Sequence, residues 1–433
     1  MGGHLAIWDA HFASLFAARG FEPVIYAHGH FPHQTLEGFP VVRQFTMTSW
    51  HEDNQEDILK NWDNYFVRNR RMLEDMTRLS QGIYLAEGKG FAGPAPDHQP
   101  VGPDDVVIFP TILEYQLTGA IKWLLNIEKG KRPTVFFYLM GPSGSVLDPE
   151  SGAATIYSLD TARFYKLAFR EMDAAGERAY FFGCGSSHAA QYSYLREKPV
   201  EAYPVLGTAI QPSVPPREDT SKRVLLYAGT PTPRKGAHLL PDIIGSVAPQ
   251  HRDWHFTVQM GNGAHTRESV TLHNTLTVLA PEHENVSYLA RILSTTNYCR
   301  QFNDSEIVVA PYDPEVYFNT SSGIVWEAIA TANILVVPAN CWLAREAERL
   351  GAAYVCFDSF TAEAVSTAVS KAISDPPLPR EARIAAAMKF KQQNRTEILT
   401  QQIFDRWAGQ APGTVSDSEM SADRQTQSDR QVI

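Results

Sequence analysis

The sequence predicts an α/β protein of two domains, each built on a parallel sheet that helices cover on both faces. Three observations favour this fold class. The chain has 433 residues, which is long for one ordinary core, and 44% of them are hydrophobic. Short apolar runs alternate with helical patterns, as is typical of parallel sheets. A stretch rich in proline at residues 199–220 interrupts the alternation, which then restarts.

Composition excludes several classes of protein. The net charge is −10, and an acidic chain is poorly suited to bulk binding of nucleic acid. The four cysteines lie far apart without a C-x-x-C pair, which favours free thiols in a reducing compartment. No apolar run is long enough to cross a membrane, and no secretory signal is visible. We expect a cytoplasmic protein, and contact with the inner membrane surface stays open.

The first domain is expected to span residues 1–205. It begins with a helical pattern at residues 5–19, followed by a strand at 23–27. A Gly-Gly turn normally joins a strand to a helix, so Gly2 and Gly3 suggest that an opening strand is missing. Further helices are expected at 57–79, 113–125 and 162–175, and further strands at 106–109, 134–139 and 180–182.

The second domain is expected to span residues 206–379. Its strands are predicted at 223–227, 255–260, 286–289, 307–310, 334–337 and 354–357. Its helices are predicted at 236–247, 296–302, 321–331, 341–350 and 360–373. One or two long helices follow within residues 380–409, and residues 410–433 have the composition of a disordered tail.

The most informative motif follows the strand at 223–227. A buried strand ends at Gly229, a short loop follows, and Arg234 and Lys235 stand just before Gly236 and a helix. Glycine allows close approach of the backbone, and the two cations suit a diphosphate. The alternative is a solvated Arg-Lys pair, although cations are mildly unfavourable at the positive end of a helix dipole.

A second motif covers residues 319–327. Thr320, Ser321, Ser322 and Gly323 stand at the start of a predicted helix, whose free N–H groups can bind an anion or sugar oxygens. Glu327 lies one turn into this helix and could accept hydrogen bonds from ribose. A glutamate that merely faces solvent is the alternative.

Other motifs carry less information. Gly261 and the glycines at 2–3 are permissive turn residues that also occur without any ligand. His28, His30 and His33 could form a metal cluster, but a polar loop is favoured. The chain has no phosphate-binding P-loop, no H-E-x-x-H and no Asp-x-Asp motif, so we predict neither a metal nor another cofactor.

These residues resemble the group 1 retaining glycosyltransferases of the GT-B fold. Gly229 and the pair Lys235-Gly236 match that family's Gly-Arg-(four residues)-Lys-Gly segment, with Thr230 at the arginine position. Glu327 matches the second glutamate of its E-x7-E signature, and Asn319 replaces the first. Gly261 matches a glycine turn after a strand, and the glycines at 2–3 match the N-terminal glycine loop.

The resemblance implies two Rossmann-like domains whose parallel sheets face each other across a cleft, with C-terminal helices that cross back to the first domain. It also implies retaining transfer from a nucleotide sugar to an acceptor hydroxyl without a required metal. Arg234, Lys235 and the 321–323 helix start would stabilise the leaving diphosphate. Glu327 would hold the ribose, and Asn319 would bind hydroxyls of the donor sugar.

Other points stay open at this stage. The acceptor could be a glycan, a lipid-linked molecule or a small molecule. The family's first-domain histidine has no counterpart after the strand at 134–139, and His4, Thr111 and Glu114 are loose candidates for its role. A truncated or impaired protein that only binds nucleotide sugar, a sugar-nucleotide epimerase and, least favoured, a nicotinamide-dependent enzyme are the alternative functions.

Overall fold

The computed structural model of this chain describes residues 4–46, 58–86, 90–94, 100–148, 151–175, 179–205, 222–261 and 267–407. In the first domain the helices are α1 His4–Ala17, α2 Ile58–Ser80, α3 Glu114–Asn126, α4 Leu159–Ala175 and α5 Gly185–Arg196. The strands are β1 Ile25–His28, β2 Thr35–Leu36, β3 Phe39–Phe45, β4 Ile83–Ala86, β5 Gly90–Pro94, β6 Val106–Ile112, β7 Thr134–Leu139, β8 Ser145–Leu147, β9 Ala154–Ile156, β10 Ala179–Cys184 and β11 Glu201–Tyr203.

A four-stranded parallel sheet, in the order β11-β10-β7-β6, forms the centre of the first domain. Every residue of β7 is buried, because this apolar strand is covered on both faces. A separate three-stranded sheet has the order β1-β3-β2, and β4-β5 and β8-β9 form antiparallel pairs. The first domain therefore distributes its strands over several small sheets.

The second domain contains one larger sheet. Its strands are β12 Arg223–Gly229, β13 His255–Met260, β14 Val286–Leu289, β15 Ile307–Val309, β16 Ile334–Pro338 and β17 Tyr354–Phe357. Its helices are α6 Leu240–Gln250, α7 Arg267–Leu279, α8 Thr295–Asn303, α9 Gly323–Ala330, α10 Trp342–Arg349 and α11 Ala362–Ser374. All neighbouring strands are parallel, in the order β14-β13-β12-β15-β16-β17.

This strand order fixes where a ligand can bind. The chain winds outward from β12 in one direction and from β15 in the other, so the two central strands form a topological switch point. In open parallel sheets, ligands bind in the crevice beyond the carboxyl ends of the strands at such a point. The loops after β12 and β15 carry the two main motifs predicted from the sequence.

Two further helices follow in the described residues: α12 Arg380–Gln393 and α13 Thr396–Trp407. α12 is attached to the second domain, where Arg383 pairs with the buried Glu306 and also donates to the carbonyl of Ala332 at 3.1 Å. α13 returns to the first domain. The hydroxyl of Tyr180 donates to the carbonyl of Arg406 at 3.1 Å.

The predicted fold class is confirmed, since two parallel α/β domains are joined by helices that cross back to the first one. Several elements were missed, notably α5, α7, β3 and β11. The helix predicted at 236–247 begins at Leu240, because two 3-10 turns precede it. Residues 206–221 of the predicted connection, the tail at 410–433 and the glycines at 2–3 lie outside the described residues.

Candidate functional site

The ends of β12 and β13 meet at two of the predicted glycines. Gly229 ends β12 with φ +118°, a backbone conformation that side chains disfavour. Its N–H donates to the side chain of Gln259 at 3.1 Å, and its carbonyl accepts from the N–H of Gly261 at 3.1 Å. Thr230 follows, and its carbonyl accepts from the hydroxyl of Tyr227 at 2.7 Å. Gly229, Thr230 and Gly261 therefore share one edge of the sheet.

The loop after Thr230 is pressed against the end of β15. Gly236 has φ +67°, and a Cβ atom there would lie 1.8 Å from the carbonyl oxygen of Pro311. No other residue fits this position without displacing the backbone. The carbonyl of Arg234 accepts from the N–H of Asp313 at 3.0 Å. Glycine thus allows the loop after β12 to join the loop after β15.

The two predicted cations occupy this junction. The Lys235 ammonium lies 3.7 Å from where a Cβ atom on Gly229 would stand, and 5.8 Å from the ring centre of Tyr312. Burial, and secondly the charge of Arg234, lower the pKa of Lys235 to about 8. The Arg234 side chain is exposed. An anion beside both groups would relieve their repulsion.

The start of α9 lies at the same edge. Tyr312 hydrogen-bonds to the side chain of Ser322, the residue before the first turn of α9, and its ring centre lies 4.5 Å from that of Tyr317. Thr320 donates to the carbonyl of Val316 at 3.0 Å. Tyr312 therefore lies between Lys235 and the predicted anion-binding segment of Ser321, Ser322 and Gly323. The structure brings the two main motifs together.

Glu327 is buried, with 6% of its surface exposed, so the alternative of a solvent-facing glutamate is wrong. Its charge acts on Lys391 of α12. Burial lowers the pKa of Lys391 to about 8, and the charge of Glu327 opposes that shift. The carboxylate thus helps to join α9 to α12.

Asn319 faces the first domain. Its side-chain amide bonds to Gln191 of α5 and to the carbonyl of Ser145, and 2% of its surface is exposed. Sequence analysis missed Gln191, Ser143, Ser145 and His188, which surround Asn319. The local sequence gave one weak signal, the Gly-Pro-Ser-Gly-Ser segment that follows the buried strand β7.

His188 lies between two carbonyl oxygens, one from each domain. Its Nδ1 is 3.1 Å from the carbonyl of Cys184, and its Nε2 is 3.3 Å from the carbonyl of Asn319. The side chain is fully buried, and this burial lowers its pKa. A neutral imidazole donates through one nitrogen only, whereas an imidazolium would donate to both carbonyls.

The remaining candidates are Thr111, Glu114 and the loop histidines. Thr111 donates to the carbonyl of Pro110 at 2.9 Å, and Glu114 is a buried residue at the start of α3. The rings of His28 and His30 are 5.2 Å apart. Across the described ranges, no three His, Cys, Asp or Glu side chains are placed to hold a metal ion. In the same ranges, no helix combines the length and apolar character needed to cross a membrane.

A groove of about 530 Å³ lies between α6 and α11. Hydroxyl, amide and carboxylate side chains line it: Asp242, Ser246, Gln250, Glu363, Ser366, Thr367 and Ser370, together with Ala362. None of the predicted site residues belongs to this lining. We therefore keep the candidate site at the switch point, where the cations and the start of α9 meet.

Comparison with solved structures shows that the chain has the GT-B fold of glycosyltransferases. It is similar to a UDP-forming α,α-trehalose-phosphate synthase from Burkholderia xenovorans, with 13% identity, a TM-score of 0.57 and coverage of 93% of this chain and 97% of that one. A sucrose-phosphate synthase from Thermosynechococcus elongatus has 11% identity, a TM-score of 0.57 and coverage of 94% and 93%.

A third similar structure is described as trehalose-6-phosphate from E. coli bound with UDP-2-fluoro glucose. It has 13% identity, a TM-score of 0.54 and coverage of 95% of this chain and 97% of that one. No family model matches the chain. No curated protein matches it either. The likeness therefore lies in the fold alone.

Proposed function

We propose that this protein is a glycosyltransferase that transfers a sugar from a nucleoside-diphosphate sugar to an acceptor hydroxyl. One observation carries the proposal. The ammonium of Lys235 lies next to Gly229, which has no side chain, and near the ring of Tyr312. Tyr312 in turn hydrogen-bonds to Ser322, at the start of α9. Cations, a glycine and free helix N–H groups together suit a diphosphate. The position at the switch point of the sheet supports the same ligand.

The chemistry is a group transfer. The bond between the anomeric carbon and the diphosphate oxygen breaks, and its electron pair leaves with the nucleoside diphosphate. A bond forms from the acceptor oxygen to the same carbon, and the acceptor proton passes to the departing phosphate oxygen or to water. Lys235, Arg234 and the N–H groups at 321–323 stabilise the charge that develops on the leaving group. Retention and independence of a metal remain predictions.

Other residues take supporting roles in this proposal. The backbones of Gly229, Thr230 and Gly261 leave room for the donor at the sheet edge, and Thr320 contributes to the segment before α9. Glu327 accepts hydrogen bonds from the ribose. Its carboxylate must then interact with both the ribose and the ammonium of Lys391. Asn319 and the glycines at 2–3 stay sequence predictions for donor binding: the Asn319 side chain is engaged by the first domain, and the glycines lie outside the described residues.

The names of the similar structures guide the choice of substrates. One is called UDP-forming, one a sucrose-phosphate synthase, and one is bound to UDP-2-fluoro glucose. We therefore propose a uridine-diphosphate sugar as the first donor to test and a sugar phosphate as the first acceptor. GDP- and ADP-sugars are the comparison donors in a thermal-shift screen, since a ligand that binds the folded state raises Tm.

Calorimetry with UDP tests the site. Lys235→Ala is expected to weaken binding about 10- to 100-fold, because one charge-assisted contact contributes roughly 1.5–3 kcal/mol. Lys222→Ala is the matched control, since Lys222 precedes β12 and forms an exposed pair with Asp253. Equal affinity in wild type and Lys235→Ala would show that the site is wrongly placed.

A protein that binds nucleotide sugar without transferring it is the second candidate. Asn319 stands where the resembled family has a glutamate, and its side chain is already engaged by the first domain. Transfer assays over a panel of acceptors, with hydrolysis of the donor followed in parallel, separate the two. Donor binding with neither product formed would favour the binding protein.

A further inference from the structure

The two domains meet beside the candidate site through buried polar side chains that carry no carboxylate and no ammonium. We call this group the amide clasp: Ser143, Ser145, His188 and Gln191 of the first domain and Asn319 of the second. Each of the five has 2% or less of its surface exposed. Buried polar groups are stable only when their hydrogen bonds are satisfied, so the clasp depends on its detailed pairing.

Gln191 and Asn319 form a reciprocal pair at the centre of the clasp. The Nδ2 of Asn319 donates to the Oε1 of Gln191 at 2.8 Å, and the Nε2 of Gln191 donates to the Oδ1 of Asn319 at 3.1 Å. The two residues are 128 positions apart in the chain. This pair is a direct bond between α5 and the loop that leads into α9.

The serines complete the pairing. Ser143 donates to the Oε1 of Gln191 at 3.1 Å, so that oxygen accepts twice. The carbonyl of Ser145 accepts from the Nδ2 of Asn319 at 3.1 Å. Both donors of the Asn319 amide are thus aimed at acceptors from the first domain. The side chain of Asn319 therefore forms hydrogen bonds to first-domain groups through both its NH₂ group and its oxygen.

The clasp is also connected to the candidate donor site. Asn319 stands four residues before Gly323, the first residue of α9, and Tyr317 and Ser322 on either side of it both contact Tyr312. On the other side, Ser143 and Ser145 follow β7, and Gln191 lies on the helix that follows β10. The clasp therefore joins strand ends of the first domain to the segment that opens α9.

We propose that Gln191 and Asn319 are a positioning pair that holds the two domains closed and sets the distance between the donor and the first domain. This inference deepens the proposed function and, for its catalytic part, rests on it. The pair requires two neutral amides. A carboxylate at position 319 would face the carbonyl of Ser145 and the Oε1 of Gln191 without a proton to donate, and would be buried. The need for an amide that can donate to Gln191 and Ser145 thus explains why position 319 is asparagine, where the resembled family has glutamate.

Distance measurements test the closure directly. Nitroxide labels at Leu167→Cys on α4 and Val278→Cys on α7 report on the two domains, because both positions are exposed, at 44% and 68%. Cys356→Ser removes the one native thiol that is not fully buried among the described cysteines. Wild type is expected to give one narrow distance distribution. Gln191→Ala and Asn319→Asp are expected to broaden it and add longer distances.

Asn69→Asp is the matched control. Asn69 is a buried amide whose bonds stay within the first domain, to the N–H of Gly119 at 2.7 Å and the carbonyl of Tyr65 at 2.9 Å. Its carboxylate variant should lower stability without opening the domains. The clasp is wrong if Gln191→Ala and Asn319→Asp both keep the wild-type distribution, or if Asn69→Asp opens the domains as far as they do.

Kinetics separate positioning from a general loss of structure. The cations of the diphosphate site and its described glycines, Gly229, Gly236 and Gly261, belong to the second domain, so Gln191→Ala should keep the affinity for UDP within about twofold. Its kcat for transfer should fall about tenfold or more, because misalignment of reacting groups is costly. A kcat equal to wild type overturns the positioning role. If the wild-type protein transfers no sugar, the proposed function is wrong. The distance measurement then still shows whether the Gln191–Asn319 pair holds the domains closed.

Discussion

The two domains are both built on parallel sheets, but they arrange their strands differently. The second domain is one continuous six-stranded parallel sheet, whereas the first divides its strands among a four-stranded sheet, a three-stranded sheet and two pairs. The charges of the candidate site, Arg234, Lys235 and Glu327, all come from the second domain. At the clasp, the first domain offers amide and hydroxyl groups and a buried histidine.

This difference suggests a division of labour. A continuous sheet with a switch point supplies a rigid edge on which glycines and cations can hold a diphosphate. The first domain contributes directional hydrogen bonds, which specify geometry without adding a second charge. The following changes test that division, from the largest expected effect to the smallest.

Glu306→Gln should give the largest loss of stability. Glu306 is a buried carboxylate at the start of β15 that pairs with Arg383 and lies 3.7 Å from Arg380. Its removal takes the paired carboxylate away from the buried guanidinium of Arg383, at a cost of about 3–5 kcal/mol. Urea unfolding measures the effect. Asp253→Asn, which breaks the exposed pair with Lys222, should change stability by about 1 kcal/mol or less.

Gly236→Ala should damage the diphosphate loop. The new Cβ would clash with the carbonyl of Pro311 at a positive φ, which is expected to cost about 2–4 kcal/mol. UDP binding should be lost along with the loop geometry. Gly245→Ala is the control: it lies inside α6 in open space, and alanine there should stabilise by about 0.5–1 kcal/mol. Unchanged UDP affinity in Gly236→Ala would contradict the loop assignment.

The pH dependence of UDP binding should follow Lys235. Because its pKa lies at about 8, the side chain is charged below that pH and loses its proton above it. Affinity should therefore fall about tenfold between pH 7 and pH 9. In Lys235→Arg the guanidinium keeps its charge over this range, and the dependence should disappear. A wild-type affinity that stays flat to pH 9 would argue against contact between Lys235 and the diphosphate.

His188 should produce the smallest effect, on the acid side. Its pKa is lowered by burial, so the unfolded chain takes up a proton at a higher pH than the folded protein does. The unfolded state thus binds more protons as pH falls below about 6.5, and stability should decrease there. His188→Gln removes this titration and should flatten the stability curve between pH 7 and pH 5. An equal slope in both proteins would exclude His188 as its source.

Much of the second domain was predictable because its strands are continuous apolar runs closed by glycine or proline. β12 and β13 follow this pattern, and their glycines end up adjacent. α7 was missed because threonine and valine, weak helix formers, make up much of it. α5 was missed for a related reason, since its sequence is rich in small and polar residues.

The candidate site shows the same limit. The function of segment 229–236 could be predicted from the sequence, because its glycines and its two cations lie within eight residues of each other. Gln191 and His188 do not, because their partners lie 128 and 131 residues away, and no local spacing encodes such a pairing. Long-range pairs between neutral side chains therefore had to come from the structure.

The return of α13 has a consequence for synthesis. The ring of Phe404 in α13 packs at a tilt against Phe16 and Phe21, with ring centres 5.2 and 5.6 Å apart, and the ring of Trp407 lies edge-on to Phe21 at 5.3 Å. α13, the last helix of the described residues, thus covers part of these aromatic surfaces near the start of the first domain. During translation these rings are made long before α13, so this part of the first domain reaches its final packing only after α13 has been synthesised.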